Sequence, residues 1–152
     1  MSSYDTTTFE KDLHSLGIQL EQHQIDQFMT YYEMLVEKNK VMNLTAITEF
    51  DDVMKKHFID SLTLCKRYLL DYRLNVLDLG TGAGFPGIPL KIAFPKLQIV
   101  LADSLNKRIR FLQEVIDTLG LEDVTVVHGR AEEMGRNTLY REQFDLCVSR
   151  AV

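Results

Sequence analysis

Apolar residues recur at helical spacing in the first half of the chain, and in runs of strand length alternating with helical stretches in the second. Phe9, Leu13 and Leu16 share one face of a short segment that Thr7 or Thr8 is placed to cap and Gly17 to stop. A longer helix is predicted over 21–40, where Ile25, Phe28, Met29, Tyr32, Leu35 and Val36 form one stripe and acids and glutamines the other face. The stripe reads most simply as core packing, with a groove for a partner as the other use of such a face. Residues 43–48 are a polar, β-branched link. Thr48 with Asp51 resembles an N-cap pattern for a helix holding Val53, Met54, Lys55, Lys56 and His57, and that helix, or one joined to it, continues through Phe58, Ile59, Ser61, Leu62 and Cys65. His57 and Asp60 stand three apart, on neighbouring parts of one helical face. That spacing suits a structural hydrogen bond as well as a catalytic one.

From Leu74 the pattern becomes strand, helix, strand, helix. Val76, Leu77, Asp78 and Leu79 read as a strand that runs into a glycine-rich turn, and the helix after it carries Pro86 and Pro89 in its first turn and is stopped by Pro95. A second strand over 97–102 ends in Asp103. Ser104 or Asn106 is placed to cap the next helix, with Ile109, Leu112, Val115, Ile116 and Leu119 on its apolar side and Gly120 at its end. Further strands are predicted over 124–128 and 144–149. Successive units of this kind build a parallel sheet with its ligand over the carboxyl ends of the strands. The expected organisation is a helical extension over 1–73 and the cofactor-binding half of an α/β domain over 74–152. A chain that stops just past its fourth strand leaves sheet uncovered, and is expected to be part of a longer protein.

The glycine turn carries the candidate chemistry. Gly82-Ala83-Gly84-Phe85-Pro86-Gly87 fits the dinucleotide-binding string, which is weak evidence alone. Asp78 lies inside the strand just before the first glycine, and an anion there suits a cationic ligand such as S-adenosylmethionine better than a pyrophosphate. Asp103 stands 23 residues beyond Gly80, where an acid can accept hydrogen bonds from both hydroxyls of a ribose. Gly129-Arg130-Ala131-Glu132-Glu133 follows the third strand, at a place where an adenine can lie against the backbone. Lys107, Arg108 and Arg110 crowd the first turns of a helix against its dipole, an arrangement that fits RNA contact or a solvated basic face equally.

Composition narrows the classes. Hydrophobic residues at 45% and charged residues at 26% are ordinary for a globular protein, and no apolar run reaches the roughly 20 residues of a membrane span. The net charge of −5 argues against a protein held on nucleic acid by overall charge, but residues 1–37 hold seven acids against one lysine, which leaves the rest nearly balanced. Two distant cysteines, Cys65 and Cys147, lack metal-ligand spacing and are expected to be buried thiols in a reduced, cytoplasmic setting. No metal, membrane or particular oligomeric state is called for.

Asn43-Leu44-Thr45, His57-Phe58-Ile59-Asp60-Ser61-Leu62, the run from Asp78 through Gly80, Gly82, Gly84 and Phe85 to Leu90, Asp103-Ser104-Leu105-Asn106-Lys107-Arg108, and Ser149-Arg150-Ala151 together resemble the bacterial ribosomal RNA small subunit methyltransferase G family, also called GidB. The resemblance covers nearly the whole chain in order. It implies a class I S-adenosylmethionine-dependent methyltransferase (Rossmann-like) fold and methyl transfer to N7 of a guanine in 16S rRNA, free or in the small ribosomal subunit. Carried over by position, Gly80 and Phe85 line the cofactor, Asp103 meets its ribose, Ala131 and Glu132 sit by the adenine, and Arg150 closes the site near the methyl group as the catalytic residue. Lys55, Lys56, His57, Lys107, Arg108 and Arg150 are then the candidates for RNA contact. The competing expectations are a cofactor-binding fragment without turnover and a dinucleotide-dependent oxidoreductase.

Overall fold

The computed structural model describes residues 4–136 and 142–150. Its centre is a parallel sheet of β1 (Asn75–Leu79), β2 (Gln98–Asp103), β3 (Val124–His128) and β4 (Leu146–Val148), in the order β3-β2-β1-β4. Val76 pairs with Ile99 on one side and Leu146 on the other, and Asp78 with Leu101 and Val148. Consecutive residues Val76, Leu77 and Asp78 are all buried, because crossover helices cover both faces of a parallel sheet. Strand order reverses at β1, so the crevice of the fold opens beyond the carboxyl ends of β1 and β4.

Two helices, α1 (Thr7–Ser15) and α2 (Gln22–Asn39), precede the sheet. Their buried residues Phe9, Leu13, Phe28 and Leu35 belong to the same hydrophobic core as Val76, Ile88, Leu101, Phe111 and Leu112 on the sheet side. Phe58 stacks into this core beside Phe28 and Tyr31, at ring separations of 5.1 and 5.3 Å. After β1 comes α5 (Gly87–Ala93), buried throughout; after β2, α6 (Asn106–Leu119); after β3, α7 (Ala131–Arg136). Gln24 of α2 donates to the Ile92 carbonyl at 2.9 Å, tying the helical part to α5.

The helical stretch expected through Cys65, as one helix or joined ones, is four consecutive pieces: α3 (Phe50–Asp52), a π-helical turn (Val53–Ile59), α4 (Asp60–Leu62) and a 3-10 turn (Thr63–Lys66). Thr48 does not cap it. Glu49 holds the N-cap position without a side-chain bond, and the Thr48 carbonyl accepts the Tyr32 hydroxyl at 2.7 Å. Likewise α1 begins from Thr6, and α6 from Leu105, whose N–H is taken by Asp103 Oδ1 at 3.0 Å, so neither Ser104 nor Asn106 serves as the cap. Gly17 and Gly120 end their helices in the left-handed region, at φ +76° and +66°, as expected. The thiols differ from expectation: Cys65 is half-buried and Cys147 exposed. Leu146 and Val148 pack against the core, so alternation along β4 turns Cys147 to the opposite face. Among the described residues no helix is long and apolar enough to cross a membrane, and no cluster of His, Cys, Asp or Glu is arranged to hold a metal.

Candidate active site

The turn after β1 is held from beneath. Asp78 is fully buried, and its Oδ2 accepts the Thr81 hydroxyl at 2.7 Å and the Gly87 N–H at 2.8 Å, joining strand, turn and the start of α5. Its Oδ1 has no partner among the described residues, and burial pushes the pKa of the carboxyl up to about 7 against the pull of those two bonds. Asp78 thus lies behind the turn, outside the residues that line the cavity above it. Gly84 also faces inward: at φ +108° a Cβ would stand 2.6 Å from Tyr31 Oη and 2.7 Å from Ile88 Cδ1. Tyr31, buried in α2, donates to the Ala83 carbonyl at 2.6 Å.

Gly80 and Gly82 behave differently. Both adopt left-handed φ, +64° and +60°, and a Cβ on either would meet nothing within 4 Å. They form an open cradle whose backbone a ligand can approach closely. Gly82 N–H is bound by Asp103 Oδ2 at 2.8 Å, so the acid that ends β2 also sets the turn after β1. The cavity here is about 330 Å³. Gly80, Thr81, Gly82, Ala83 and Phe85 form its floor, Asp103, Ser104, Arg108 and Gly129 one wall, and Leu44, His57 and Arg150 the other.

That second wall is a stack. The His57 ring lies nearly parallel to Phe85, 12° between planes and 4.4 Å between centroids, and the Arg150 guanidinium sits 4.8 Å from the Phe85 centroid. Arg150 Nη2 is 2.8 Å from His57 Nδ1, and Asp60 approaches Arg150 at 3.8 Å. His57 and Asp60 therefore meet through Arg150. Burial, reinforced by the Arg150 cation and opposed by Asp60, holds the His57 pKa down at about 4, so the ring is neutral. On the far side of Arg150 lies a second cavity of about 380 Å³, bordered by Asp60, Ser61, Thr63, Arg67, Pro86 and Ser149.

Of the expected site residues, the fold gathers Gly80, Gly82, Phe85, Asp103, His57, Arg108 and Arg150 around one cavity. Arg108 reaches within 3.5 Å of Asp103. Glu132 is exposed on α7, beyond Gly129 and outside the lining, and Ala131 opens the same helix. Lys55, Lys56 and Lys107 are exposed on the surrounding surface. Ala151 falls outside the described residues. Sequence reasoning missed Tyr31, although its spacing from Phe28 and Leu35 places it on the buried stripe. It also missed Thr81 and gave Thr45 no role of its own.

A sequence model of the family described as GidB, rRNA small subunit methyltransferase G, matches residues 24–152. The chain is 57% identical over 148 residues to the ribosomal RNA small subunit methyltransferase G of Lachnoclostridium phytofermentans, covering 97% of this chain and 61% of that protein. To the protein of that name from Brevibacillus brevis it is 52% identical over 144 residues, covering 95% and 60%. The chain thus spans about three-fifths of the length of these relatives. Among solved structures, a protein-L-isoaspartate O-methyltransferase superposes with a TM-score of 0.63 at 15% identity, covering 95% of this chain and 47% of that one. An O-methyltransferase from Bacillus cereus in complex with SAH gives 0.57 at 19% identity, covering 95% and 61%. At such identities the likeness is one of fold, that of the class I methyltransferases.

Proposed function

The chain belongs to the rRNA small subunit methyltransferase G family, and from that premise we propose that its glycine-turn cavity takes S-adenosylmethionine for methyl transfer to N7 of a guanine in 16S rRNA. The observation that carries this is the open cradle at Gly80 and Gly82, with the Asp103 carboxylate on its rim. The residues fit the group: the volume is of ligand size, the backbone is bare, and an acid stands where a ribose would bring its hydroxyls. S-adenosylmethionine supplies an activated methyl on a sulfonium, and N7 of guanine takes it through an in-plane lone pair with no proton to remove.

What this chain's residues do is bind and orient. Gly80, Gly82 and Phe85 would line the ligand, Asp103, its carboxylate fixed by Gly82 and Leu105 N–H, would accept from the ribose, and Gly129, with Ala131 and Glu132 following it in the chain, would take the adenine end. The buried Asp78 shapes the turn. Arg150 borders both cavities, which makes the second one the candidate seat of the acceptor base. His57 is not poised as a general base, since its free lone pair faces a guanidinium. The reaction asks for none. The test is to incubate the protein with methyl-labelled S-adenosylmethionine and 16S rRNA and identify the labelled nucleoside after digestion. N7-methylguanosine is expected, with at least a tenfold loss in Arg150→Ala, about 1.4 kcal/mol in the barrier; label on an exocyclic nitrogen or a pyrimidine carbon would sink the reading.

A further inference from the structure

A line of hydrogen bonds runs from the 43–48 link to the wall of the cavity. Ile47 N–H donates to Thr45 Oγ1 at 3.1 Å, Thr45 Oγ1 lies 2.7 Å from His57 Nε2, and His57 Nδ1 lies 2.8 Å from Arg150 Nη2. A guanidinium offers donors and no lone pair. His57 Nδ1 facing it must therefore be the bare nitrogen, and the one hydrogen of the neutral ring must sit on Nε2, donated to Thr45. Thr45 Oγ1 then accepts twice, from Ile47 and from His57, which is the full acceptor capacity of a hydroxyl. Without that oxygen the Nε2 hydrogen loses its partner in a buried setting, so the tautomer that Arg150 favours keeps only one of its two supports.

We infer that Thr45 is a positioning residue: by taking the Nε2 hydrogen it locks His57 in the tautomer whose Nδ1 holds Arg150 at the wall between the two cavities. This rests on the reading of Arg150 as a residue of the methyl-transfer site. Among the described residues, His57 makes the shortest polar contact to that arginine. The carbonyls of Lys56 and His57 stand 3.4 and 3.5 Å from Nη1 and the Asp60 carboxylate 3.8 Å away, so they leave the orientation of the guanidinium less constrained. Fixing so rotamer-rich a side chain before substrate arrives removes an ordering cost from binding. The link carrying Thr45 is itself fastened, since Asn39 Oδ1 accepts from both Leu44 and Thr45 N–H at 2.8 and 3.0 Å.

The test is nitrogen NMR of the chain labelled at its four histidines, with His57 assigned by its loss in His57→Gln. Wild type and Thr45→Ser are expected to show His57 as the Nε2–H tautomer, unchanged between about pH 5 and pH 8. Thr45→Val is expected to show a mixture of tautomers and to bind S-adenosylhomocysteine several-fold more weakly, with Thr45→Ser near wild type. A folded Thr45→Val whose His57 signals match wild type would overturn the assignment. Should Thr45→Val fail to fold, Thr45→Ala serves: it too is expected to show a mixture of tautomers, and His57 signals that match wild type would overturn the assignment equally. A wild type with the expected nitrogen signals and no affinity for S-adenosylhomocysteine supports the tautomer lock and strikes only at the cofactor reading.

Discussion

Two buried titratable residues under and beside the glycine turn pull the stability of this protein in opposite directions. Asp78 has its pKa pushed from 3.8 to about 7, chiefly by burial. The folded state therefore keeps a proton that the unfolded chain releases near pH 4, and stability falls as pH rises from about 4 to 7 and is level above that. The difference is on the order of 4 kcal/mol. His57, lowered from 6.5 to about 4, works the other way, and its contribution is lost as pH falls through that window. In wild type the two slopes oppose. Asp78→Asn keeps an acceptor for Thr81 and Gly87 and removes the first slope, so its urea midpoint is expected to rise from pH 5 to pH 6.5 and then level off. A midpoint that still falls over that range would remove Asp78 as the source.

The turn from β1 into α5 depends on glycines of two kinds. Gly84→Ala puts a methyl against Tyr31 Oη and Ile88, whereas Gly80→Ala puts one into open space at a left-handed φ. Thermal melts are expected to show Gly84→Ala losing more than the roughly 1–2 kcal/mol of left-handed strain that Gly80→Ala loses, while Gly80→Ala loses more affinity for S-adenosylhomocysteine. Equal losses of stability would contradict this division. Tyr31→Phe leaves the Ala83 carbonyl without its donor and is expected to destabilise by about 1–3 kcal/mol. Much of this element is legible in the sequence, because glycine and proline act through local backbone geometry and mark the turn directly. The helix stops at Gly17 and Gly120 are legible for the same reason. The caps are not: Asp103 takes the amide at the start of α6 in place of Ser104 or Asn106, and that choice depends on a strand end packed against the turn. The π-helical turn leaves no distinct periodicity, and the contacts of Tyr31 with Ala83 and of His57 with Arg150 span 52 and 93 residues, beyond any local pattern.

Across the whole molecule, charge divides the surface. The acids of residues 1–37 outnumber their lysine seven to one, and Glu33, Glu37 and Glu114, with Lys38 paired to Glu114 at 3.4 Å, line a groove between α2 and α6. Lys55, Lys56 and Lys107 are exposed, and Arg108 and Arg150 line the cavity. If RNA docks on that side, replacing Lys55 and Lys56 with alanine should flatten the dependence of log affinity on log salt by about 0.7 for each single-strand phosphate left without its lysine. Binding of S-adenosylhomocysteine should stay unchanged. The central claim is that the cradle at Gly80 and Gly82, rimmed by Asp103, holds a sulfonium nucleoside, and thermal stabilisation of the 152-residue chain by S-adenosylhomocysteine tests it most directly. At a hundredfold excess over the dissociation constant the gain is about 2.7 kcal/mol, a rise of roughly 5–10 °C, expected to vanish in Asp103→Ala. A rise with NAD and none with S-adenosylhomocysteine would contradict the claim.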